Sequence, residues 1–193
     1  MNNKLKNRTD TVKTIRVTES IILKQIELSD SYDIFHTIDS QREYLGKWLP
    51  FVENTRELAY TRNFIRSVLD TPAETRDYTF VIHYNGEFAG LIGFKSTDIL
   101  NKKTEIGYWL SEPFQKRGIM TESVNSLIEF AFNDLDINRI QIKCAVENIP
   151  SKNIPIRLGF KLEGIERQGE LLTGGNFADI ETYSILKNER KKN

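Results

Sequence analysis

Apolar and polar residues alternate along several stretches of this chain, and a period of two residues is typical of a β-strand with one buried face. In Arg139–Val146, for example, Ile140, Ile142 and Cys144 share one face and the residues between them are polar. Asn85-Gly86 is the dipeptide best suited to a tight hairpin turn. The pattern predicts seven strands: Ser20–Glu27, Tyr78–Tyr84, Phe88–Lys95, Lys103–Leu110, Arg139–Val146, Phe160–Gln168 and Phe177–Leu186.

A period of three to four residues predicts helices between the strands. The clearest apolar stripe, Val124, Leu127, Ile128 and Ala131, predicts a helix that packs on the sheet by one face. Four helices are predicted: one from Ser29 or Asp30, one from Thr55 to just before Pro72, one after Gly118, and a short one from about Ser151 to Leu158. The elements predict an α/β (α+β) fold with a mixed, mostly antiparallel sheet of about seven strands flanked by about four helices.

Length and composition predict a single domain. The chain has 193 residues, of which 39% are hydrophobic, and it shows no internal repeat and no linker. Both ends are polar and charged. We therefore expect a flexible N-terminal extension (1–16), one folded domain (17–187) and a charged tail (188–193).

Charge and cysteine content exclude several classes of function. The 27 Lys plus Arg residues are balanced by 27 Asp plus Glu residues, so the chain lacks the net positive charge that a nucleic-acid partner requires. The absence of a run of ~18 apolar residues and of a secretion signal predicts a cytoplasmic protein that does not enter a membrane. The single cysteine, Cys144, fits a packed core position better than a nucleophile, and neither His36 nor His83 has a neighbour at metal-ligand spacing.

The segment Glu105–Ser123 has the pattern of a strand, a basic loop with a glycine, and the start of a helix. A helix N-terminus carries unpaired backbone N–H groups and about half a positive charge, so it attracts anions. Gln115, Lys116, Arg117 and Gly118 lie at this junction. A solvated loop with a turn glycine is the simpler alternative, but two cations beside a free helix end favour binding of a diphosphate.

Four motifs, in a common order along the chain, resemble those of the GNAT superfamily of acyl-CoA-dependent N-acetyltransferases. They are Glu105–Leu110, Gln115–Glu122, Asn148–Ser151 and Leu158–Gly164. The resemblance extends over about Thr18 to Leu186. It is closest to the RimJ/RimL branch, the ribosomal-protein N-terminal acetyltransferases, which also have a segment similar to Tyr44–Pro50.

The resemblance implies a GNAT-like fold whose sheet splays in the middle, usually with a β-bulge, between the strand that ends at Leu110 and the strand that contains Cys144. It implies acetyl-CoA as the acyl donor, CoA as a product, and no metal. The pantetheine arm and the thioester would be held by Tyr108, Trp109, Leu110, Asn148 and Ser151. The diphosphate would be held by Gln115, Lys116, Arg117, Gly118, Ile119, Met120 and Thr121.

The resemblance also implies catalytic residues. Ser151 matches a serine that can protonate the leaving thiolate, and the tyrosine that many relatives use for this step is absent from Lys152–Phe160. Ser151 alone would be interpreted as a helix N-cap, with Pro155 at the limit of the first turn. Glu170 matches a glutamate that activates the amine, although by composition it is an ordinary hairpin carboxylate. Trp48 and Glu170 are expected to line the acceptor groove.

These observations predict an acetyl-CoA-dependent N-acetyltransferase that acts directly on a primary amine, such as the N-terminus of a ribosomal or other protein. Two alternatives stay open: an enzyme that acetylates a polyamine or an antibiotic, and a catalytically silent module that binds acyl-CoA. The sequence is compatible with a monomer or a homodimer.

Overall fold

The computed structural model describes residues 13–75 and 77–190, which form one eight-stranded sheet and six α-helices. The strands are β1 Thr14–Arg16, β2 Ile21–Gln25, β3 Thr79–Tyr84, β4 Glu87–Asp98, β5 Lys103–Leu110, β6 Arg139–Ala145, β7 Lys161–Leu171 and β8 Phe177–Leu186. The helices are α1 Ser31–Ser40, α2 Arg42–Gly46, α3 Phe51–Asn54, α4 Leu58–Leu69, α5 Ile119–Asn133 and α6 Ile149–Arg157. The predicted fold class is confirmed, with one more strand and two more helices than expected.

The additional elements are β1, α2 and α3. β1 pairs with β2, with Ile15 opposite Leu23, and it lies within the segment predicted as an N-terminal extension. α2 and α3 have five and four residues, and a helical period does not show over so short a length. The division into an extension, a domain and a tail stays a prediction, because residues 1–12 and 191–193 lie outside the described residues.

The sheet has the strand order β1-β2-β3-β4-β5-β6-β8-β7. Its neighbouring strands are antiparallel except β5 and β6, which are parallel and are connected through α5. A parallel pair needs such a crossover, whereas Asn85 and Gly86 make the predicted hairpin turn between β3 and β4 with φ of 51° and 86°. Two antiparallel halves therefore meet in the middle of the sheet.

Helices cover both faces of the sheet. α5 packs on one face, against a core that includes Phe80, Ile82 and Ile106. The helices α1 to α4 pack on the other face, around Val81 and Leu91. The alternation of the strand residues thus supplies two cores on opposite sides. No helix within the described ranges is long and apolar enough to cross a bilayer.

Gly90 allows β4 to approach β5 closely. A Cβ atom at this position would lie 2.2 Å from the carbonyl oxygen of Trp109. We expect Gly90→Ala to lower the free energy of unfolding by about 2 kcal/mol, because the two strands must separate to admit a methyl group. Urea denaturation measures the loss. Gly164→Ala is the control, since a Cβ there meets nothing within 4 Å; equal stability of the two variants would contradict the prediction.

Candidate active site

The sheet opens between β5 and β6. β5 and β6 pair only at Lys103–Arg139, Thr104–Ile140 and Glu105–Gln141, although β5 continues to Leu110 and β6 to Ala145. The backbone of β5 from residue 106 to 110 therefore has no strand partner on the side of β6, and its polar groups are available to a ligand. The bulge expected here is absent, since the register of β4 and β5 is unbroken from Gly90–Leu110 to Lys95–Glu105.

Beyond the end of β5 lie the loop and the start of α5 for which an anion site is predicted. Gly118 is the N-cap with φ of 77°, a left-handed conformation that glycine adopts without strain. The N–H of Glu122 donates to the carbonyl of Gly118, so the N–H groups of Ile119, Met120 and Thr121 precede the first helical bond. In the loop, Lys116 and Arg117 are exposed, and neither forms an ion pair with a described residue.

Tyr44 fastens this loop to the end of β5. The side-chain amide of Gln115 donates to the Tyr44 hydroxyl, which donates to the carbonyl of Leu110 at 3.2 Å. Burial raises the pKa of Tyr44, and the bond from Gln115 opposes this effect. The side chain of Gln115 is thus occupied within the protein and supports the loop. The contact joins residues about 70 positions apart, and no local sequence pattern signals it.

Asn148 and Ser151 lie at the start of α6, which begins at Ile149 and not at the predicted Ser151. Asn148 is the N-cap: its side-chain oxygen accepts from the N–H of Ser151 at 3.3 Å. The physical reason is Pro150, whose fixed φ and missing N–H suit the first turn of a helix. Ser151 is therefore inside the first turn, and Pro155 is inside the helix.

The side chain of Tyr108 reaches from β5 across the opening to this helix. Its hydroxyl donates to the carbonyl of Ser151 at 3.1 Å and accepts from Ser151 Oγ at 3.3 Å. Burial raises the pKa of Tyr108 above its usual range, and the hydrogen bond to Ser151 opposes the rise. Tyr108, Asn148 and Ser151 thus lie together where the two halves of the sheet separate.

A cavity of about 550 Å³ includes this point, and residues of the strands β4 to β7 and of the helices α1, α3 and α4 also line it. The predicted site residues that line it are Trp48, Tyr108, Trp109, Asn148, Ser151 and Glu170. Leu110 and the loop and helix start from Gln115 to Thr121 are not part of its wall. Glu170 lies within β7, opposite Ala178, because this strand extends to Leu171 and not only to the predicted end at Gln168.

Three further charged residues in the cavity wall were not predicted, namely Lys95, Glu105 and Lys143. Lys95 and Glu105 face each other on β4 and β5, with their Nζ and Oε1 atoms 2.8 Å apart. Glu105 is only 8% exposed, and it also accepts from Gln141 at 2.9 Å. The sequence did contain a signal for the position of Glu105. Glu105, Gly107 and Trp109 alternate along the strand and therefore share one face, so Glu105 is expected on the same side of the sheet as Trp109.

No group of three or more potential metal ligands occurs among the described residues.

Cys144 also lines the cavity and is buried, as predicted for a core residue. Burial raises the pKa of its thiol to about 11, and the neighbouring carboxylate of Glu181 adds to the rise. The group is therefore a neutral thiol at physiological pH, and a neutral thiol is a poor nucleophile.

Comparison with known proteins identifies the family. The family model for the acetyltransferase (GNAT) domain matches residues 20–161. The chain is 35% identical over 177 residues to YdaF of Bacillus subtilis (strain 168), which covers 91% of this chain and 96% of YdaF. It is 30% identical over 179 residues to the ribosomal-protein-serine acetyltransferase of Escherichia coli (strain K12), which covers 90% of this chain and 97% of that protein.

The fold agrees with these sequence matches. RimL, a ribosomal L7/L12 alpha-N-protein acetyltransferase solved in complex with coenzyme A, superposes with a TM-score of 0.87 at 27% identity, covering 92% of this chain and 100% of that chain. The resemblance predicted from the four motifs is thereby confirmed. The chain belongs to the GNAT acetyltransferase family.

Proposed function

We propose that this enzyme transfers the acetyl group of acetyl-CoA directly to the α-amino group of a protein N-terminus. One observation carries the proposal. A single cavity is lined by Tyr108 and Ser151, where the thioester is expected, and by Glu170, where the amine is expected. Both substrates can therefore meet in one space, as direct transfer within a ternary complex requires.

The donor site fits acetyl-CoA in shape and charge. The open edge of β5 from Tyr108 to Leu110 offers backbone groups that can pair with the amides of a pantetheine arm. The start of α5 offers N–H groups to phosphates, and Lys116 and Arg117 add positive charge beside it. Acetyl-CoA would supply an activated acetyl thioester. The role of the protein is to hold this thioester, and Asn148 would contact the pantetheine arm.

Glu170 and Ser151 are the groups we propose for proton transfer. Glu170 accepts the proton of the attacking amine, directly or through water, and later releases it to solvent. Ser151 donates a proton to the leaving thiolate and regains one from solvent. A weak base is sufficient to deprotonate an N-terminal amine, because the pKa of an α-amino group is about 7.7–8.0, whereas that of a lysine is about 10.4. The N–H groups of β5 polarise the thioester carbonyl. Direct transfer needs no acyl-enzyme intermediate. Cys144 is also unsuited to form one, because its thiol is neutral.

The mouth of the cavity favours a polypeptide acceptor. Phe51, Tyr60 and Phe64 line it and are 44%, 55% and 44% exposed. Exposed aromatic rings at the edge of a groove are typical of a surface that contacts another polypeptide. Trp48 lines the same cavity and is half-buried.

The charge of the cavity argues against a polyamine. A polyamine carries several positive charges, so its site needs an excess of carboxylates. Among the described residues of the cavity wall, the carboxylates Glu105 and Glu170 are equal in number to the lysines Lys95 and Lys143, and Lys95 pairs with Glu105, so the wall has no excess of carboxylates. The relative from Escherichia coli acts, by its name, on a ribosomal-protein serine, and a ribosomal protein N-terminus is the acceptor class we propose here.

Release of the CoA thiol, followed with a panel of acceptors, tests this function. The panel contains N-terminal peptides that begin with Ser, Ala or Met, the same peptides with a blocked amine, spermidine and an aminoglycoside. We expect kcat/KM for free peptides to exceed that for the small amines by at least about tenfold. A preference for spermidine or the aminoglycoside would support the small-amine alternative, and acetyl-CoA binding without thiol release would support a silent module.

A variant of the cavity mouth sharpens the test. Tyr60→Ala is expected to lower kcat/KM for peptides by about fivefold, through loss of an exposed aromatic contact. Tyr32→Ala is the matched control, because Tyr32 is an exposed aromatic residue on α1 outside the cavity wall. An equal loss in the two variants would contradict a peptide contact at the mouth.

A further inference from the structure

Pro155 creates an irregularity in the hydrogen bonds of α6. In a regular α-helix, the N–H of residue 155 would donate to the carbonyl of Ser151, four residues earlier. Proline has no N–H, and its ring crowds that carbonyl. Pro155 is buried inside α6, which nevertheless continues to Arg157. The carbonyl of Ser151 is therefore left without its helical donor.

The hydroxyl of Tyr108 replaces the missing donor. It donates to the Ser151 carbonyl at 3.1 Å, and the same oxygen accepts from Ser151 Oγ at 3.3 Å. The N–H of Ser151 donates to the side chain of Asn148 at 3.3 Å. The carbonyl, the hydroxyl and the N–H of Ser151 thus each have a defined partner, and two of the three contacts cross the opening from β5.

We propose that Tyr108 and Pro155 act together as positioning residues for Ser151. Pro155 keeps the Ser151 carbonyl free of the helix, Tyr108 binds that carbonyl, and the paired contact fixes the Ser151 hydroxyl in the cavity wall between β5 and α6. The inference rests on the proposed function, because the position of the hydroxyl matters for turnover only where Ser151 protonates the leaving thiolate.

Tyr108 itself is not the proton donor in this arrangement. Its hydroxyl proton is engaged with the Ser151 carbonyl at 3.1 Å, whereas the Ser151 proton is held only by the longer contact to Tyr108 at 3.3 Å and turns to the thiolate as the thiolate forms. Burial also raises the pKa of Tyr108, so the group is neutral at working pH and acts as a fixed dipole. The loss of its hydroxyl should therefore weaken catalysis through Ser151 without abolishing it.

The test compares Tyr108→Phe, Pro155→Ala, their double variant and Ser151→Ala, in the full chain with acetyl-CoA and a reactive peptide. Alanine at 155 restores an N–H that competes with Tyr108 for the Ser151 carbonyl. We expect each single variant at Tyr108 or Pro155 to lower kcat by about three- to tenfold, with KM for acetyl-CoA within about twofold of the parent value. The double variant should be no slower than the slower single variant, because both changes remove one contact.

Thermal stability separates this role from a purely structural one. Pro155→Ala removes a proline from a helix interior and should melt at the same temperature as the parent or higher, while it turns over more slowly. Arg157→Ala is the control, since Arg157 is an exposed residue of the same helix and lies outside the cavity wall. It should retain the parent kcat.

The outcomes are distinguishable. Parental kcat in Tyr108→Phe and Pro155→Ala, with a slow Ser151→Ala, would overturn the positioning role and leave the proposed function intact. Losses that multiply in the double variant, or parental kcat in Ser151→Ala, would also overturn it. No turnover by the parent with any amine would remove the proposed function itself. If Pro155→Ala fails to fold, Tyr108→Phe still tests the same contact.

Discussion

Replacement of Glu170 by glutamine is expected to lower kcat for a peptide acceptor by about 100-fold, the lower part of the range for loss of a general base. Glu170 lines the cavity, is exposed, and has no hydrogen bond or ion pair with another described residue, so its carboxylate is free to accept a proton. The expected loss of kcat is at the lower end of this range because a fraction of the α-amine is already neutral near pH 7 and needs no base. KM for acetyl-CoA should change less than about twofold, since Glu170 is not among the groups proposed to hold acetyl-CoA.

Thiol release at saturating acetyl-CoA, measured from about pH 6 to about pH 10, checks this result. The rate of the parent enzyme should rise with pH as the acceptor amine loses its proton, and the variant should keep this rise at a lower level. Glu166→Gln is the matched control, because Glu166 lies on the same strand, contacts Lys143 at 3.3 Å and is outside the cavity wall.

Retention of more than half the parent rate by Glu170→Gln would reject Glu170 as the base. Glu105 is the other carboxylate in the cavity, and Glu105→Gln would then be the decisive variant. Its carboxylate is less available than that of Glu170, because Lys95 and Gln141 already contact it. This difference in pairing, and not proximity alone, is the physical ground for preferring Glu170.

The central part of the site was predictable because it depends on local pattern. The strand Lys103–Leu110 has the predicted bounds, and the glycine before α5 has the left-handed conformation that a helix start of this kind needs. The alternation that placed Ile140, Ile142 and Cys144 on one face also holds, and all three are buried. Such features follow from residues close in sequence, where periodicity and turn chemistry are informative.

What the sequence did not reveal depends on contacts between distant residues. Tyr44 reaches Leu110, and Tyr108 reaches Ser151, across 66 and 43 positions. No propensity at either end signals these hydrogen bonds. The N-cap of α6 is a different case, because Pro150 already indicated that the helix begins before Ser151. The fixed φ of Pro150 is a stronger constraint on the start of the helix than the capping preference of Ser151.

Replacement of both Lys116 and Arg117 by alanine is expected to weaken acetyl-CoA binding by about 100-fold, at roughly 1.4 kcal/mol or a factor of ten for each cation. Both residues are exposed beside the N-terminus of α5, and the Arg117 guanidinium lies 5.8 Å from the centres of the Tyr84 and Phe114 rings. Alanine keeps the Cβ atom at Lys116, where φ is 61°, so the backbone preference is unchanged and the variant tests charge.

Calorimetric titration with CoA at about 50 mM and about 500 mM salt measures the effect, because screening weakens exposed charge pairs. The parent should lose affinity as salt rises, and the double variant should lose much less. Lys102→Ala/Lys103→Ala is the matched control: it removes two adjacent cations at the far end of β5, and Lys102 has a similar φ of 49°. An unchanged Kd in the Lys116/Arg117 variant would show that the start of α5 does not hold the phosphates. Equal losses in both variants would instead assign the effect to net charge, so only a loss confined to the loop before α5 supports a phosphate site there.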